Sequence, residues 1–459
     1  MDHSLRLTEA QNRDLQRHLF PGDGREAVAL LLCGRRQGSE RHIFTTRKVV
    51  PIPHESCASR QDGRVTWSTD FVDELIKEAF GKEQAIVKVH SHPGDSRKFS
   101  SLDDNSDRAF FESVASILGD GLCHASLVML PSGEIFGRVV ENGAIGDDLS
   151  SVLVVGDDLN IWTECRSRGR EGFTLRQAQA FGQGTTSKLR SLAVAIVGCS
   201  GTGSIVAEQL ARLGVGKLVL VDPDVVEEKN LNRILNSGKE DSYFKRYKVH
   251  AIASAIARMG FAQEVEPFPL NLATRDAVFA VAGCDVAFGC MDGVEGRHLL
   301  NRLATFYCLP YFDVGVRLDA DGFGGISSVA GAVQYLQPGC SSLLSRGLYT
   351  MSQVEAEEMR RMNPELYARH RGEGYLRGIV EGRPAVISIN MFFASLAVNE
   401  FLARIHPYRN RPNSEFAYVG GNLTEVALLT EPEGAECAVL KRHVGMGDVE
   451  PLLERSILS

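Results

Sequence analysis

Residues 192–222 run through an apolar segment of strand length, a glycine-rich turn, a helical stretch and a second apolar segment. No other feature limits the fold as tightly. Residues 192–197 are all apolar, as in strands buried on both faces of a parallel sheet. The turn Gly198-Cys-Ser-Gly201-Thr-Gly203-Ser leads into a helix over 204–213, and residues 218–222 supply the next strand. Parallel strands need a crossover, usually a helix, so this order predicts a doubly wound, Rossmann-like α/β sheet. Helical patterns over 249–259 and 297–307, with a strand near Val286, continue the alternation.

A chain of 459 residues exceeds one ordinary core and implies several domains. Residues 1–150 read as a separate α/β unit, with strand-length apolar runs at 27–33, 85–90 and 126–130 and helical spacing over 71–80 and 107–118. The polar, Gly/Arg-rich stretch around 166–172 reads as a linker, set at 151–175. The second domain is expected over 176–405, closing on an amphipathic helix at 390–405. Residues 406–459 are then an irregular C-terminal extension, with turn signals at Gly420-Gly421 and Gly445-Met-Gly447.

The net charge of −8, with no long basic run, argues against nucleic acid or an anionic membrane as partner. The apolar runs are too short to span a bilayer, and the first residues lack the apolar core of a signal peptide. Ten cysteines occur singly, without a Cys-x-x-Cys pair, as expected of reduced thiols in a cytoplasmic protein.

His90-Ser-His92-Pro93 stands at the end of an apolar strand. Side chains two apart on an extended chain share a face, so both imidazoles can reach one ion. A carboxylate from the following helix, Asp104, would complete three ligands and leave one position for water. That is the catalytic arrangement of zinc, whose bound water is acidified towards neutrality. Taken singly, the pieces have plainer readings: His-x-His as a strand-end pair, and Ser101-Leu-Asp-Asp104 as a capping box before the helix holding Phe110, Phe111 and Ile117. A capped helix start is also a rigid place to mount a ligand.

Together these residues resemble the JAMM (JAB/MPN) metalloproteases, read as His-x-His-Pro, seven residues, then Ser-x-x-Asp. The family's upstream glutamate, commonly in Glu-x-x-Gly-x-Leu, is matched by Glu26-Ala-Val-Ala-Leu-Leu, with Ala29 where glycine is frequent. The resemblance implies that His90, His92 and Asp104 bind Zn²⁺. It makes Glu26 the general base and Ser101 a donor to the developing oxyanion. It also implies a substrate cut after the C-terminal glycine of a ubiquitin-like protein.

In the second domain the glycine turn alone would equally suit an NAD enzyme, with Asp222 at the end of the second strand gripping a ribose. The following Asp222-Pro-Asp224-Val-Val-Glu-Glu-Lys-Asn230-Leu-Asn-Arg233 resembles instead the ThiF/MoeB/ubiquitin-activating adenylyltransferases. Lys248 falls where that family has a phosphate-contacting lysine. Cys284-Asp-Val-Ala-Phe-Gly-Cys-Met-Asp292 resembles its strand ending in a metal-binding aspartate, with Arg297 and Asn301 beyond. Arg176-Gln177 and Phe181-Gly-Gln183 are similar to its entry helix, whose arginine enters the partner subunit's ATP site.

The resemblance implies ATP bound by Gly198, Gly201, Gly203, Asp222, Asp224 and Asn230, with Ser200 replacing a frequent second glycine. Arg233, Lys248 and a partner's Arg176 would stabilise phosphate charge, and Asp292 would hold Mg²⁺. Without that context a lone lysine or arginine is a solvated surface charge. Serines stand where many relatives have the first Cys-x-x-Cys pair of a structural zinc, so no second zinc is expected. Cys340 is the candidate thioester nucleophile, and Cys199, in the phosphate turn, reads as structural.

The combined reading is a bifunctional, cytoplasmic, homodimeric enzyme. Its zinc (iso)peptidase would expose or release a C-terminal glycine of a ubiquitin-like modifier, and its adenylyltransferase would activate the same carboxylate, possessing as partner that modifier and, for conjugation, a conjugating enzyme. The alternative is activation and release of a sulfur-carrier protein. A third reading is a metal-free interaction scaffold.

Overall fold

The computed structural model describes residues 1–68, 70–119, 121–163, 172–261, 263–372 and 384–458. The chain forms two compact units. The first comprises Met1–Arg166, Phe306–Cys308 and His443–Ser456; the second comprises Ser167–Thr305, Leu309–Arg442 and Ile457–Ser459.

The first unit holds β1 (Asp2–Thr8), α1 (Glu9–Leu19), β2 (Val28–Gln37), β3 (Arg41–Pro51), β4 (Cys57–Gln61), β5 (Arg64–Trp67) and α2 (Asp70–Ala79). It continues with β6 (Ala85–Ser91), α3 (Ser101–Leu118), β7 (Cys123–Met129), β8 (Ile135–Glu141), β9 (Ala144–Asp148), β10 (Ser151–Val155) and β11 (Leu159–Thr163). Nine of these strands form one sheet in the order β11-β10-β1-β3-β2-β6-β7-β8-β9.

Alternation along the central strands builds a core on each face. Ala29, Leu31 and Cys33 of β2 join Val87 and Val89 of β6 beneath Leu15 and Leu19 of α1. Val28, Leu30, Leu32 and Ile86 instead pack with Val72, Leu75 and Ile76 of α2 and Phe110, Phe111 and Val114 of α3. Because side chains alternate with period two, Lys88 and His90 share the face of Ile86 and point towards α3.

Residues 151–163, expected within a linker, are β10 and β11, and β10 pairs in parallel with β1 from Ser4↔Ser151 to Thr8↔Val155. Composition concealed two short strands whose partner lies at the other end of the unit. The Arg166–Gly172 segment falls mostly outside the described residues.

The C-terminal extension is likewise ordered structure. Residues 443–456 belong to the first unit, where Gly447 bridges Arg35 and Gly34 donates its N–H to the Gly445 carbonyl at 3.1 Å. A Cβ on Gly34 would stand 2.3 Å from the Met446 backbone, so only glycine admits this approach.

The second unit contains α4 (Leu175–Ser191), β12 (Ala193–Val197), α5 (Gly201–Arg212), β13 (Lys217–Val221), α6 (Lys239–Tyr243), α7 (Lys248–Met259), β14 (Glu264–Phe268), α8 (Arg275–Ala282), β15 (Val286–Gly289) and α9 (Val294–Phe306). Then come β16 (Tyr311–Ala320), β17 (Ile326–Leu336), α10 (Met351–Met362), α11 (Pro364–Gly372), α12 (Ile387–Ile405), β18 (Tyr418–Asn422) and β19 (Ala427–Glu431). The sheet order is β14-β13-β12-β15-β16-β17-β18-β19. Strands β14 to β16 run parallel and the last three antiparallel. The strand order reverses between β12 and β15, the place where open α/β sheets bind ligands beyond the carboxyl ends of their strands. Helix α12 packs on α5 and β16. Among the described residues no helix is long and apolar enough to cross a membrane.

Candidate functional site

In the first unit the register of β2 with β6 pairs Val28 with His90. Glu26 stands two residues before Val28, near enough to His92 and Asp103 for their charges to act on its carboxyl. The N–H of Ser91 bonds to the Ala27 carbonyl at 3.0 Å, so the pairing continues past the named strands. At the end of β6, His90 Nε2 lies 3.2 Å from His92 Nε2 and 3.1 Å from Asp103 Oδ1, while Asp103 Oδ2 is 3.8 Å from His92 Nε2. The nearby His92 Nδ1 is 2.9 Å from the Ser96 carbonyl. Donation from Nδ1–H to that carbonyl leaves the Nε2 lone pair directed into the cluster.

The third member is therefore Asp103, not Asp104. Asp104 turns away and accepts from Arg138 Nη1 at 2.6 Å. Successive side chains on a helix diverge by about 100°, so two adjacent aspartates cannot face the same point. The capping box is also one residue earlier than expected. Ser100 is the N-cap of α3, accepts from the Asp103 N–H at 3.2 Å, and donates its hydroxyl to Asp103 Oδ2 at 2.7 Å. Ser100-Ser-Leu-Asp103 thus has the Ser-x-x-Asp spacing, whereas Ser101 is an exposed residue of the first helical turn.

Electrostatics separate the roles. Glu26 is 5 % exposed, and burial pushes its carboxyl up to about 7, aided by the Asp103 charge and opposed by His92. Burial lowers the pKa of His90. For His92 burial acts the same way, but bonds to Asp103 and the Ser96 carbonyl outweigh it and raise the pKa. Burial would raise Asp103, yet its bonds to the two histidines hold it below the usual carboxylate range. The cluster offers a donor set that fits a divalent ion: two imidazole nitrogens and a carboxylate, with ligand atoms all within 4.8 Å of one another. Two nitrogens and one oxygen leave a fourth tetrahedral position open, which suits catalytic zinc.

In the second unit a cavity of about 550 Å³ opens at the switch point between β12 and β15. Gly198, Ser200, Asp222, Asp224, Asn230, Arg233, Lys248 and Asp292 all line it. Gly201 and Gly203 lie behind, buried in the first turn of α5; a Cβ on Gly203 would meet the Gly198 carbonyl oxygen at 1.8 Å. That contact explains the third glycine by backbone packing.

Asp222, expected at a ribose, is engaged by the protein itself. Its Oδ2 accepts from the Cys199 N–H at 2.7 Å and its Oδ1 from the Asp224 N–H at 2.9 Å, with Lys248 Nζ 3.7 Å away. Burial raises its pKa, and Lys248 opposes that. Lys248, 6 % exposed, makes its shorter ion pair with Asp224 at 2.6 Å. The Asn230 side chain accepts from the Glu227 N–H at 3.1 Å, which closes the turn that presents Arg233.

Cys199 is buried and its thiol pKa lies well above its usual value, which fits its structural reading. Cys340, in the loop after β17, is outside the cavity lining, as is Arg176, an exposed residue bonded to Gln179 at 3.2 Å. Conversely, Glu357 of α10 lines the cavity and accepts from the Glu295 N–H at 2.9 Å. Nothing in the sequence around Glu357 marks it, because only the fold of the intervening chain brings α10 there.

Residues 174–434 match the ThiF family, and residues 8–135 match the prokaryotic homologs of the JAB domain. The chain belongs to the ThiF family, with a JAB domain fused at its N-terminal side. Among curated relatives, ubiquitin-like modifier-activating enzyme 5 of Drosophila persimilis is 32 % identical over 164 residues, covering 33 % of this chain and 40 % of the relative. The mouse adenylyltransferase and sulfurtransferase MOCS3 is 40 % identical over 114 residues, covering 25 % of this chain and 24 % of its own length. The matched stretches thus span well under two thirds of either relative. Among solved structures, E. coli MccB with ATP aligns at a TM-score of 0.44 and 18 % identity, covering 59 % of this chain and 74 % of that one.

Proposed function

We propose that the chain is a bifunctional enzyme acting on the C-terminal end of a ubiquitin-like protein. One unit hydrolyses a peptide or isopeptide bond after the terminal glycine; the other adenylates the freed carboxylate with ATP. The observation that carries this reading is the convergence of His90, His92 and Asp103, with the buried Glu26 within reach of their charges, in a chain that also belongs to the ThiF family.

In the hydrolytic unit, His90, His92 and Asp103 would hold the metal. Zinc, when bound there, supplies the Lewis acidity that activates water and polarises a carbonyl. Glu26, with its carboxyl near 7, takes the water's proton and passes it to the leaving amine. In place of Ser101, this proposal gives the oxyanion to Ser100, whose hydroxyl would turn its one proton from Asp103 to the developing charge.

In the ThiF unit, the N-terminus of α5 and the Gly198–Ser200 turn receive phosphate, as helix N-termini do. Asp224, whose Oδ2 pairs with Lys248, has a side chain 65 % exposed and is the carboxylate that would meet a ribose. Arg233 and Lys248 stabilise charge as pyrophosphate leaves, and Asp292 would hold Mg²⁺. Arg176 acts from a second subunit of a homodimer, and Cys340 would serve only after adenylation, as a thioester acceptor. The enzyme works in the cytoplasm, and a conjugating enzyme receives the activated modifier.

The second reading, a sulfur carrier as substrate, is favoured by the resemblance to a relative named both adenylyltransferase and sulfurtransferase. One experiment tests both units. The purified chain is incubated with small diglycine-ending proteins, some extended by a reporter. Tail release that persists in Glu26→Ala would sink the peptidase reading. Absence of ATP–pyrophosphate exchange with every such protein would sink the adenylation reading.

A further inference from the structure

Beside the histidine–aspartate cluster lies a group of charges that the proposed hydrolysis does not use. Asp107 of α3 is fully buried, and Lys88 of β6 and Arg138 of β8 are 4 % and 6 % exposed. Arg138 Nη2 donates to Asp107 Oδ2 at 2.7 Å and Nη1 to Asp104 Oδ1 at 2.6 Å. Lys88 forms an ion pair with the other oxygen of Asp107. The Arg138 guanidinium carbon lies 3.8 Å from the centre of the Phe99 ring, and that ring is 6.2 Å from the ring of His90.

We propose that Arg138 is the positioning residue of this centre. By clasping Asp104 and Asp107 in one guanidinium, it fixes the first two turns of α3 and leaves Asp103 as the carboxylate facing His90 and His92. The inference rests on reading that cluster as a divalent-metal centre.

The geometry explains why one residue suffices. Asp104 and Asp107, three apart, lie on one face of α3, so a forked guanidinium can hold both. Asp103, one residue earlier, is turned towards the histidines by the same rotation that turns Asp104 to the clasp. Lys88 shares its strand face with His90, so its bond to Asp107 ties α3 to the strand that supplies a ligand. The spacing between His90 and Asp103 is thus set by groups that never touch the ion. Lysine could not substitute, because an ammonium is a single point charge where two separated carboxylates need a planar fork.

The test uses the full chain and the metal alone. Zinc affinity is measured by chelator competition, and ligand geometry by visible absorption of the cobalt-loaded protein. Arg138→Met is expected to weaken zinc binding about 10–100-fold, the range for partners that orient metal ligands, and to alter the cobalt spectrum. Arg138→Lys should recover little of the loss. Asp104→Ala should weaken binding in the same direction, and the double variant should bind no worse than Arg138→Met, because both act through one clasp. Circular dichroism of the metal-free proteins reports folding; if Arg138→Met fails to fold, the half-exposed Asp104→Ala carries the test. Wild-type affinity and spectrum in both single variants would overturn the inference while leaving the metal centre intact. A wild-type chain that binds neither ion would overturn the metal reading and this inference with it.

Discussion

Lys248 and Asp224 form a 2.6 Å ion pair on the lining of the ThiF-unit cavity, with Asp222 3.7 Å from the same ammonium. The lysine is thus held by two carboxylates in the cavity proposed to take ATP. Lys248→Met should lower ATP–pyrophosphate exchange by about 100-fold, the loss typical of removing one preorganised donor. Exchange is measured at saturating ATP, with thermal unfolding as a folding control. Unchanged exchange would remove Lys248 from the chemistry and leave it a structural cation.

Glu26→Gln keeps the shape of the side chain but cannot take a proton. Release of a reporter from a diglycine tail should fall by about 100- to 10,000-fold, as for loss of a general base. Zinc content should stay at the wild-type level, because Glu26 is not among the cluster's ligand residues. Loss of zinc together with activity would make it a structural partner of the metal.

Burial, with the Arg35 charge adding to it, lowers His42 and His124 to about 3. The unfolded chain takes up these protons near 6.5, whereas the folded unit resists until about 3. Their contribution to stability is therefore complete above about 6.5 and declines as pH falls through that window. His124 Nδ1 accepts from the Ile86 N–H at 3.0 Å, a bond that an asparagine oxygen can replace without titrating. His124→Asn should flatten the acid limb of a stability–pH curve measured by urea unfolding. A curve parallel to wild type would refute the assignment.

The backbone contact between Gly34 and Met446 makes the C-terminal segment part of the first unit. Gly34→Ala should lower the stability of that unit by about 1–3 kcal/mol, as overpacking does. Ending the chain after Arg442 should destabilise it further, by removing the Gly445 and Gly447 contacts as well. Denaturant unfolding followed by amide exchange in β2 and β3 checks both, and unchanged protection in the truncated chain would show that the segment is dispensable.

Local patterns were enough to predict the parallel sheet of the ThiF unit and to nominate His90, His92, Glu26, Lys248 and Asp292. Those features are local: an apolar strand, a glycine turn, and short spacings whose periodicity fixes which side chains share a face. The same patterns misplaced the third member of the cluster by one residue. A helix start turns adjacent aspartates in different directions, and the choice between Asp103 and Asp104 depends on Arg138, a residue of a different strand. Tertiary structure alone decided that residues 151–163 extend a sheet begun by residues 2–8, and that residues 443–456 return to the first unit. It also placed Glu357 in the cavity of the ThiF unit. Pairing and packing between distant segments leave no periodic mark in either one, so their partners emerge only when the chain has folded.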